Sequence, residues 1–407
     1  MNLEGCIGRA VAIHYLSPMN ATNIRETTRS LLISRSYYPP QVGGISTMMA
    51  EVCSYLGARR VAVLTGVAGP VDDIRLADVR VHRIAGTQRQ QSWAATGQLA
   101  ASLGLALARE RPAVLQYATL DDALMAHWTH RALGYKHILY AHGNEILSAG
   151  KSTWDIPKSA LMASSYVVAN SCYTASLLRD LGVPAERIRI VHPGCDLEQF
   201  QRRAVAQADR ARWTGGRPQA RLVLSVGNLV ERKGHDIVIR ALASLPQALH
   251  DVLYLIAGDG PHRAILEALA LSVGVADRVV FLGRVPTAEL PLLYSAASVF
   301  IMASRERADH CDVEGFGIVF IEAAACGAPT IGGRSGGIED AVLDQVTGLL
   351  VDPNDPQAVA ESLVHLLSNE HLALQLGEAA RLRAIADFSW ASFGRSVESI
   401  LEEAARA

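Results

Sequence analysis

Residues 312–322, with the sequence DVEGFGIVFIE, place two carboxylates, Glu314 and Glu322, eight positions apart. An apolar run begins at Gly317 and predicts a helix from about Phe316 to Cys326. The first amides of a helix have no partner within it and lie at the positive end of its dipole. The stretch therefore predicts an anion site at the start of this helix.

Both glutamates stand in apolar, glycine-rich sequence. Glu314 precedes the predicted helix start, and Glu322 lies about two turns further along. A carboxylate that is buried or faces a groove needs polar partners, which the hydroxyls of a sugar would supply. The alternative, two ordinary surface glutamates, fits the surrounding sequence poorly.

A second loop of this kind occupies residues 225–234, SVGNLVERKG. A strand ends at Gly227, and Lys233 comes just before a second predicted helix. A lysine in a strand-to-helix loop is well placed to meet a phosphate, although an exposed lysine alone is weak evidence. Asn228 in the same loop can cap or turn the chain.

Three further turns follow predicted strands. Residues 258–261, GDGP, form a tight turn and lack the GxGxxG pattern of dinucleotide-binding proteins. His142 follows a strand directly, where ligands of α/β sheets bind, but a structural role fits a lone histidine equally well. Residues 334–337, RSGG, are a candidate anion-binding turn.

The rest of the chain alternates short apolar runs with longer segments of helical periodicity, which predicts two doubly wound parallel sheets. The first series begins at Leu31–Ile33, and the second begins at Leu222–Val226. We expect an N-terminal Rossmann-like domain at 1–200, with 1–29 as an uncertain extension, a polar linker at 201–220 and a C-terminal Rossmann-like domain at 221–407. The last predicted helix, Phe393–Ala404, is a candidate for packing back on the N-terminal domain. Two such domains would face a central cleft.

The composition of the chain limits which classes of protein and of partner are compatible with it. The 407 residues are half apolar and carry a net charge of −2, as in soluble globular proteins. Residues 1–200 sum to +4 and the remainder to −6, so the first half could favour an anionic acceptor or lipid surface, unless the difference is chance. Six scattered cysteines and the lone cluster His310-Cys311-Asp312 give no convincing metal site. No apolar run is long enough to span a membrane.

Together these motifs resemble glycosyltransferase family 4, whose signature has two glutamates separated by seven residues. Four further pieces agree in order and spacing: PPxxGGI at 39–45, VHPGCD at 191–196 with Phe200, the loop from Gly227 to Gly234, and GDGP at 258–261. The match covers about Leu31 to Trp390. Within the family the chain looks most like bacterial mannosyltransferases that build phosphatidylinositol mannosides or exopolysaccharides.

The resemblance implies a GT-B fold, retention of anomeric configuration, no catalytic metal and no cofactor beyond the nucleotide-sugar co-substrate. By the same resemblance Glu314, Lys233 and His142 would be catalytic. Glu322 would hold the ribose, Glu314 and His142 would contact the donor sugar, and Arg284-Val285 would cradle the base. The donor-binding set is then Gly43, Gly44, Asn228, Lys233, Arg284, Val285, Glu314, Gly317, Ile318 and Glu322.

One departure from the family concerns charge. Where the family often has an arginine that assists Lys233, this chain has the neutral Asn228. Phosphate stabilisation should then rest more on Lys233 and on the helix dipole. Arg232 is a candidate for the missing charge, with its direction left open.

We therefore expect a retaining glycosyltransferase that moves a hexose, best assigned as mannose from GDP-mannose, to a lipid-linked or saccharide acceptor in glycolipid or polysaccharide synthesis. A transferase that uses UDP-glucose or UDP-N-acetylglucosamine and an inactive sugar-binding scaffold subunit are the alternatives. The expected partners are the donor and acceptor, with no nucleic acid. The expected location is the cytoplasm, including peripheral association with the inner face of the membrane.

Overall fold

The computed structural model describes residues 28–41, 43–71, 73–84, 93–151, 155–307 and 309–407. Residue contacts divide the chain into two compact units. The first runs up to Val191 and also includes Gly394–Ala407, and the second is His192–Phe393. The extension considered at 1–29 falls almost wholly outside the described residues.

In the described part of the first unit, seven parallel strands form one sheet in the order β3-β2-β1-β4-β5-β6-β7. The central strands are continuous apolar runs, because helices cover both faces of such a sheet. Leu31, Leu32 and Ile33, for instance, are fully buried. The strands are β1 Ser30–Ser34, β2 Val61–Thr65, β3 Arg80–Arg83, β4 Val114–Tyr117, β5 Lys136–Ala141, β6 Tyr166–Ala169 and β7 Ile188–Ile190.

The helices described in this unit connect the strands as the alternation predicts. They are α1 Gly44–Leu56, α2 Trp93–Glu110, α3 Ala126–Leu133, α4 Asn144–Lys151, α5 Asp155–Ala163 and α6 Cys172–Asp180. The periodic segment from Ala123 to Leu133 is not one helix. A short 3₁₀ segment, Leu120–Met125, kinks at Ala123 before α3 begins.

The second unit repeats this plan with six parallel strands among its described residues, in the order β10-β9-β8-β11-β12-β13. Its strands are β8 Leu222–Val226, β9 Leu253–Ala257, β10 Val279–Gly283, β11 Val299–Met302, β12 Thr330–Gly333 and β13 Leu349–Val351. Its helices are α7 Gln207–Trp213, α8 His235–Ala243, α9 Arg263–Ser272, α10 Leu290–Ala296, α11 Ile318–Ala325, α12 Ile338–Ala341, α13 Pro356–Leu367 and α14 Glu370–Asp387.

The segment expected as a linker, 201–220, belongs to this second unit and contains α7. Arg210 in α7 donates hydrogen bonds to the carbonyls of Pro218, Ala220 and Ala296, at 2.7, 2.6 and 2.9 Å. One guanidinium thus satisfies three carbonyls, two in the loop after α7 and one at the end of α10, and holds the segment on its unit.

The final helix, α15 Trp390–Arg406, carries most of its length in the first unit. Gly394 lies against Tyr55, where an added Cβ would come within 2.2 Å of the ring. Arg60 forms ion pairs with Glu398 and Glu402 of α15. Among the described residues no helix combines the length and the apolar character that a membrane crossing needs.

The two sheet orders share one physical consequence. In each sheet the direction of winding reverses beside the first strand, between β1 and β4 and between β8 and β11. Loops leave a doubly wound sheet in opposite directions at this switch point, so a crevice opens at the carboxyl ends of those two strands. The residues that follow β8 and β11 in the second unit, and β1 and β4 in the first, are therefore the places to look for a site.

Candidate functional site

The switch point of the second unit brings together two of the predicted residues. Lys233 ends a 3₁₀ turn after β8, and Glu314 lies in the loop after β11. The Lys233 ammonium donates a hydrogen bond to Oε2 of Glu314. Both side chains are largely buried, with 11 % and 15 % of their surface exposed. Residues 81 positions apart in the chain thus form one charged pair at the edge of the sheet.

The close approach of these loops depends on Gly234. Its φ is +70°, in the left-handed region, and a Cβ built there would lie 1.9 Å from the carbonyl oxygen of Ala303. Only glycine combines that conformation with that contact. The residue following Lys233 therefore sets how near the β8 loop comes to the end of β11.

Two more residues complete the cluster: Arg232, the sequence candidate for the missing positive charge, and Asp312. Nη1 of Arg232 lies 2.7 Å from Oε2 of Glu314, and its Nε lies 2.7 Å from Oδ1 of Asp312. The direction of the Arg232 side chain, left open by the sequence, is thus inward. Asp312 had been considered only as a metal ligand and set aside.

The two neighbouring cations determine the ionisation of Glu314. Burial by itself would raise its pKa, but the charges of Lys233 and Arg232 outweigh burial and lower the pKa to about 2. Glu314 is therefore an anion throughout the neutral range, able to accept hydrogen bonds from a ligand.

At the predicted anion site the backbone forms the helix start that the sequence predicts. Helix α11 begins at Ile318, with Gly317 at φ +90° as its N-terminal flanking residue. The 334–337 turn packs beside it, because the Gly337 amide donates a 2.8 Å hydrogen bond to the Glu314 carbonyl. Helix α11 thus starts beside the Glu314 side chain, because a Cβ built on Gly317 would lie 3.7 Å from Cγ of Glu314, and the first amides of a helix have no partner within it.

Glu322 lies on α11 about one turn after its first residue. The buried hydroxyl of Tyr294 in α10 donates a 2.8 Å hydrogen bond to its Oε2. Burial raises the pKa of Glu322 to about 7, and the bond from Tyr294 opposes that rise only in part. The two signature glutamates therefore differ: Glu314 is held ionised by cations, whereas Glu322 titrates near neutrality.

The remaining donor-site candidates of this unit follow neighbouring strands. Asn228 is exposed after β8, and Arg284 is exposed after β10, two strands away from the switch point. Val285 packs against the core of the unit. The strand ends are joined, because the Gly258 amide donates a 2.7 Å hydrogen bond to the Gly283 carbonyl. These residues lie at the same edge of the sheet as Lys233 but are not part of the charged cluster around it.

The first unit contains the other candidates. His142 follows β5 and is buried, and its Nε2 lies 2.8 Å from the Ala118 carbonyl after β4. This contact requires the proton on Nε2, because a carbonyl oxygen can only accept. Gly43 and Gly44 stand at the start of α1, and a Cβ on Gly43 would meet nothing within 4 Å. Open space at Gly43 is consistent with a close approach by a ligand.

A charged pair at the switch point of the first unit was missed by the sequence analysis. The backbone amide and Nε of Arg35, after β1, donate to Oδ1 of Asp122 at 2.9 and 3.3 Å. Thr119 donates to the other carboxylate oxygen at 3.0 Å. An isolated Arg and Asp in loops 87 positions apart carry no local pattern that would have revealed them.

Comparison with known families decides what this arrangement belongs to. A family model described as glycosyl transferases group 1 matches residues 209–383, and one described as glycosyltransferase family 4 matches residues 42–199. Together they cover most of the chain and contain both switch-point loops of the second unit. The chain belongs to the family 4 glycosyltransferases.

Curated relatives of this glycosyltransferase support the assignment over most of its length. A GDP-mannose-dependent α-(1-6)-phosphatidylinositol monomannoside mannosyltransferase from Mycobacterium tuberculosis is 32 % identical over 93 % of this chain and 100 % of the relative. The enzyme of that name from Mycolicibacterium smegmatis is 35 % identical over 69 % and 73 %. A D-inositol 3-phosphate glycosyltransferase from Salinispora arenicola is 34 % identical over 65 % and 61 %.

Solved structures share the fold of this glycosyltransferase. Anabaena HepE in complex with UDP superposes with a TM-score of 0.77 at 20 % identity, over 92 % of this chain and 100 % of that one. Sucrose-phosphate synthase from Thermosynechococcus elongatus gives a TM-score of 0.76 at 22 % identity, over 92 % and 98 %. The predicted GT-B architecture of two Rossmann-like domains is confirmed, as is the activity class, a retaining glycosyltransferase. The roles of the individual site residues stay predictions.

Proposed function

We propose that this glycosyltransferase transfers mannose from GDP-mannose, with retention, to an acceptor that carries a phosphatidylinositol mannoside headgroup. The contact between Lys233 and Glu314 beside the start of α11 carries the proposal. It joins a cation, an ionised acceptor group and unpaired amides, which are the groups that a diphosphate and a sugar require. The donor and acceptor are those named for the mycobacterial relatives.

In this proposal the diphosphate is bound by the Lys233 ammonium and by the amides of Gly317 and Ile318. Departure of the nucleotide builds negative charge on the diphosphate. Donors already directed at that position stabilise the charge as it develops, without reorganisation of solvent. Lys233 and the helix start therefore lower the barrier to breaking the bond between the sugar and the phosphate.

The two glutamates bind different parts of the donor. Glu314, kept ionised by its cations, accepts hydrogen bonds from hydroxyls of the transferred sugar, and Glu322 accepts those of the ribose. Retention follows if the acceptor attacks the face from which the diphosphate leaves, with the leaving phosphate oxygen taking the acceptor's proton. No metal or cofactor enters this scheme. His142 is assigned to the donor sugar, and Arg284-Val285 to the base.

The acceptor is proposed from shared chemistry. The named acceptors of the relatives, phosphatidylinositol monomannoside and D-inositol 3-phosphate, both contain an inositol phosphate. The positive balance of residues 1–200 suits such an anion and suits a membrane surface rich in anionic lipid. Peripheral association with the cytoplasmic face of the membrane is part of this proposal.

A binding and transfer experiment tests the donor and the acceptor together. The purified protein is heated with GDP, UDP and ADP and with their sugars, because a ligand that binds only the folded state raises the melting temperature. We expect GDP and GDP-mannose to give the largest shifts. We expect labelled mannose to pass from GDP-mannose to phosphatidylinositol monomannoside in mixed vesicles. Lys233→Ala should lose about 100-fold or more in turnover with little change in melting temperature.

Other outcomes separate the alternatives. A larger shift with UDP-N-acetylglucosamine would replace the proposed donor. Transfer to D-inositol 3-phosphate, which the name of the Salinispora relative contains, would replace the proposed acceptor. Nucleotide binding without hydrolysis or transfer to any acceptor would indicate a sugar-binding scaffold. Unchanged turnover in Lys233→Ala would remove the diphosphate role of that lysine.

A further inference from the structure

Arg232 lies next to Lys233 in the chain, and its side chain enters the same cluster with only 16 % of its surface exposed. Its guanidinium contacts two carboxylates, Glu314 through Nη1 and Asp312 through Nε. A largely buried arginine is costly unless its planar fork is used by partners of matching geometry. Nη1 and Nε of the guanidinium each contact a carboxylate, so the orientation of the side chain is fixed.

The arrangement changes the charge that a donor would meet. Lys233 and Glu314 by themselves would form a neutral pair, and a neutral pair attracts a diphosphate poorly. Arg232 shares the same carboxylate, so the three groups together carry one positive charge. Asp312 offsets this less than Glu314 would, because 34 % of its side chain is exposed to water, which screens its charge.

The arrangement also fixes the orientation of Glu314. Lys233 and Arg232 both donate to Oε2. The carboxylate is therefore held at one oxygen, and Oε1 carries neither of these two hydrogen bonds. Rotation about the last bond of the side chain would break both hydrogen bonds, whereas a single ammonium would oppose it with only one.

We propose that Arg232, anchored by Asp312, is a positioning residue of the donor site. It presents Oε1 of Glu314 to the transferred sugar and shares the charge of that carboxylate, so that the Lys233 ammonium is less fully neutralised and stays available to the diphosphate. The inference rests on the proposed binding of a nucleotide-sugar at this site. It assigns to Arg232 the second positive charge that the exposed Asn228 does not supply.

Three variants separate charge from geometry. Arg232→Gln removes both, Arg232→Lys keeps the charge but cannot bridge Glu314 and Asp312, and Asp312→Asn releases the anchor. Each is assayed for GDP binding by calorimetry, for kcat and KM with GDP-mannose, and for melting temperature. The pH profile of kcat is also recorded at saturating GDP-mannose, so that the loss of nucleotide affinity through Glu322 below pH 7 does not hide it, because Glu314 with one cation fewer should protonate at higher pH.

We expect Arg232→Gln to weaken GDP binding about tenfold and to lower kcat about 100-fold. The fall of kcat on the acid side of its pH profile should begin at a higher pH in this variant than in the wild type. Arg232→Lys should bind GDP within about threefold of the wild type, yet lose at least about tenfold in kcat, since lysine lacks the fork. Asp312→Asn should lower kcat several-fold without weakening GDP binding.

Wild-type kcat in Arg232→Lys, or an acid-side fall of kcat that begins at the wild-type pH in Arg232→Gln, would overturn the inference. So would losses of kcat that merely follow losses in melting temperature. These results require an active wild type. A wild-type protein that binds GDP but processes no GDP-mannose contradicts the proposed function instead, and the variants are then compared with the nucleotide-sugar that the wild type does process.

Discussion

At the scale of single residues, the two signature glutamates show how environment separates identical side chains. Glu314 meets two cations and has a pKa of about 2, whereas Glu322 meets only the hydroxyl of Tyr294 and has a pKa of about 7. Burial acts on both in the same direction, so the partner charges decide the difference. The sequence places both carboxylates in a site but contains nothing that distinguishes their ionisation.

Glu322 predicts a pH dependence. Only its ionised form accepts two hydrogen bonds from a ribose, so nucleotide affinity should fall up to about tenfold per pH unit below pH 7. The stability of the unliganded protein should respond with the opposite sign. The folded-state pKa lies above the ordinary 4.5, so this contribution to the free energy of unfolding decreases as the pH rises from 4.5 to about 7.

Glu322→Gln is the measurement that isolates this group, because the phosphates of the nucleotide titrate in the same range. The variant should lose the part of the pH dependence that belongs to Glu322 and should bind GDP more weakly at pH 8. It should also be more stable than the wild type at pH 8, by about 1–2 kcal/mol in urea titrations. Identical pH profiles for variant and wild type would contradict the assignment.

At the scale of elements, the site depends on the loop between β8 and α8. The 3₁₀ turn Glu231–Lys233 ends at Gly234, which takes a left-handed conformation directly against Ala303 at the end of β11. The backbone contact is what brings Lys233 within reach of Glu314. Sequence periodicity predicts the strand and the helix on either side, but not the distance between two loops.

Gly234→Ala tests this contact against a matched control. Gly274 has nearly the same φ, +74° against +70°, but an added Cβ there meets nothing within 4 Å. We expect Gly274→Ala to cost about 1 kcal/mol, from the left-handed conformation alone. Gly234→Ala should cost about 3 kcal/mol or more, because the Ala303 carbonyl must also move, and should weaken GDP binding. Equal losses in denaturant unfolding would refute the steric argument.

At the scale of the whole molecule, the two ends of the chain are combined in one unit. Residues 394–407 belong with the first unit although residues 192–393 separate them from it. Arg60 after α1 is held by Glu398 and Glu402 of α15, with 12 % of its side chain exposed. Stability of the first unit therefore depends on the last residues of the sequence.

Arg60→Ala should destabilise the protein by about 2–3 kcal/mol, because it leaves the half-buried carboxylate of Glu398 without its cation and removes one of the two cations that pair with Glu402. Glu403→Ala is the control. Glu403 pairs with Arg189 at 3.2 Å, but 40 % and 33 % of these side chains are exposed, so its loss should cost less than about 1 kcal/mol. Urea unfolding curves compare the two, and similar midpoints would show that the Arg60 cluster adds nothing.

Much of the architecture could be predicted from sequence because it depends on local patterns. Continuous apolar runs indicated the strands, and the glycine pairs and the Lys233 loop indicated where they end. Two three-residue strands, β7 and β13, were missed because a run that short has no measurable periodicity. The helix α7 within 201–220 was missed because its polar composition resembles that of a linker.

The sequence by itself determined the family, the two doubly wound sheets and the pair of glutamates around the start of α11, since each is written in neighbouring residues. The tertiary structure alone decided that Arg232 turns towards Glu314 and Asp312, that Arg35 meets Asp122, and that Glu322 is left with a hydroxyl rather than a cation. These facts depend on side chains that approach one another from elements 28 to 87 residues apart in the chain. The ionisation of each of these side chains depends on which neighbour it contacts and on how much water is excluded from it. Neither can be read from a local sequence pattern.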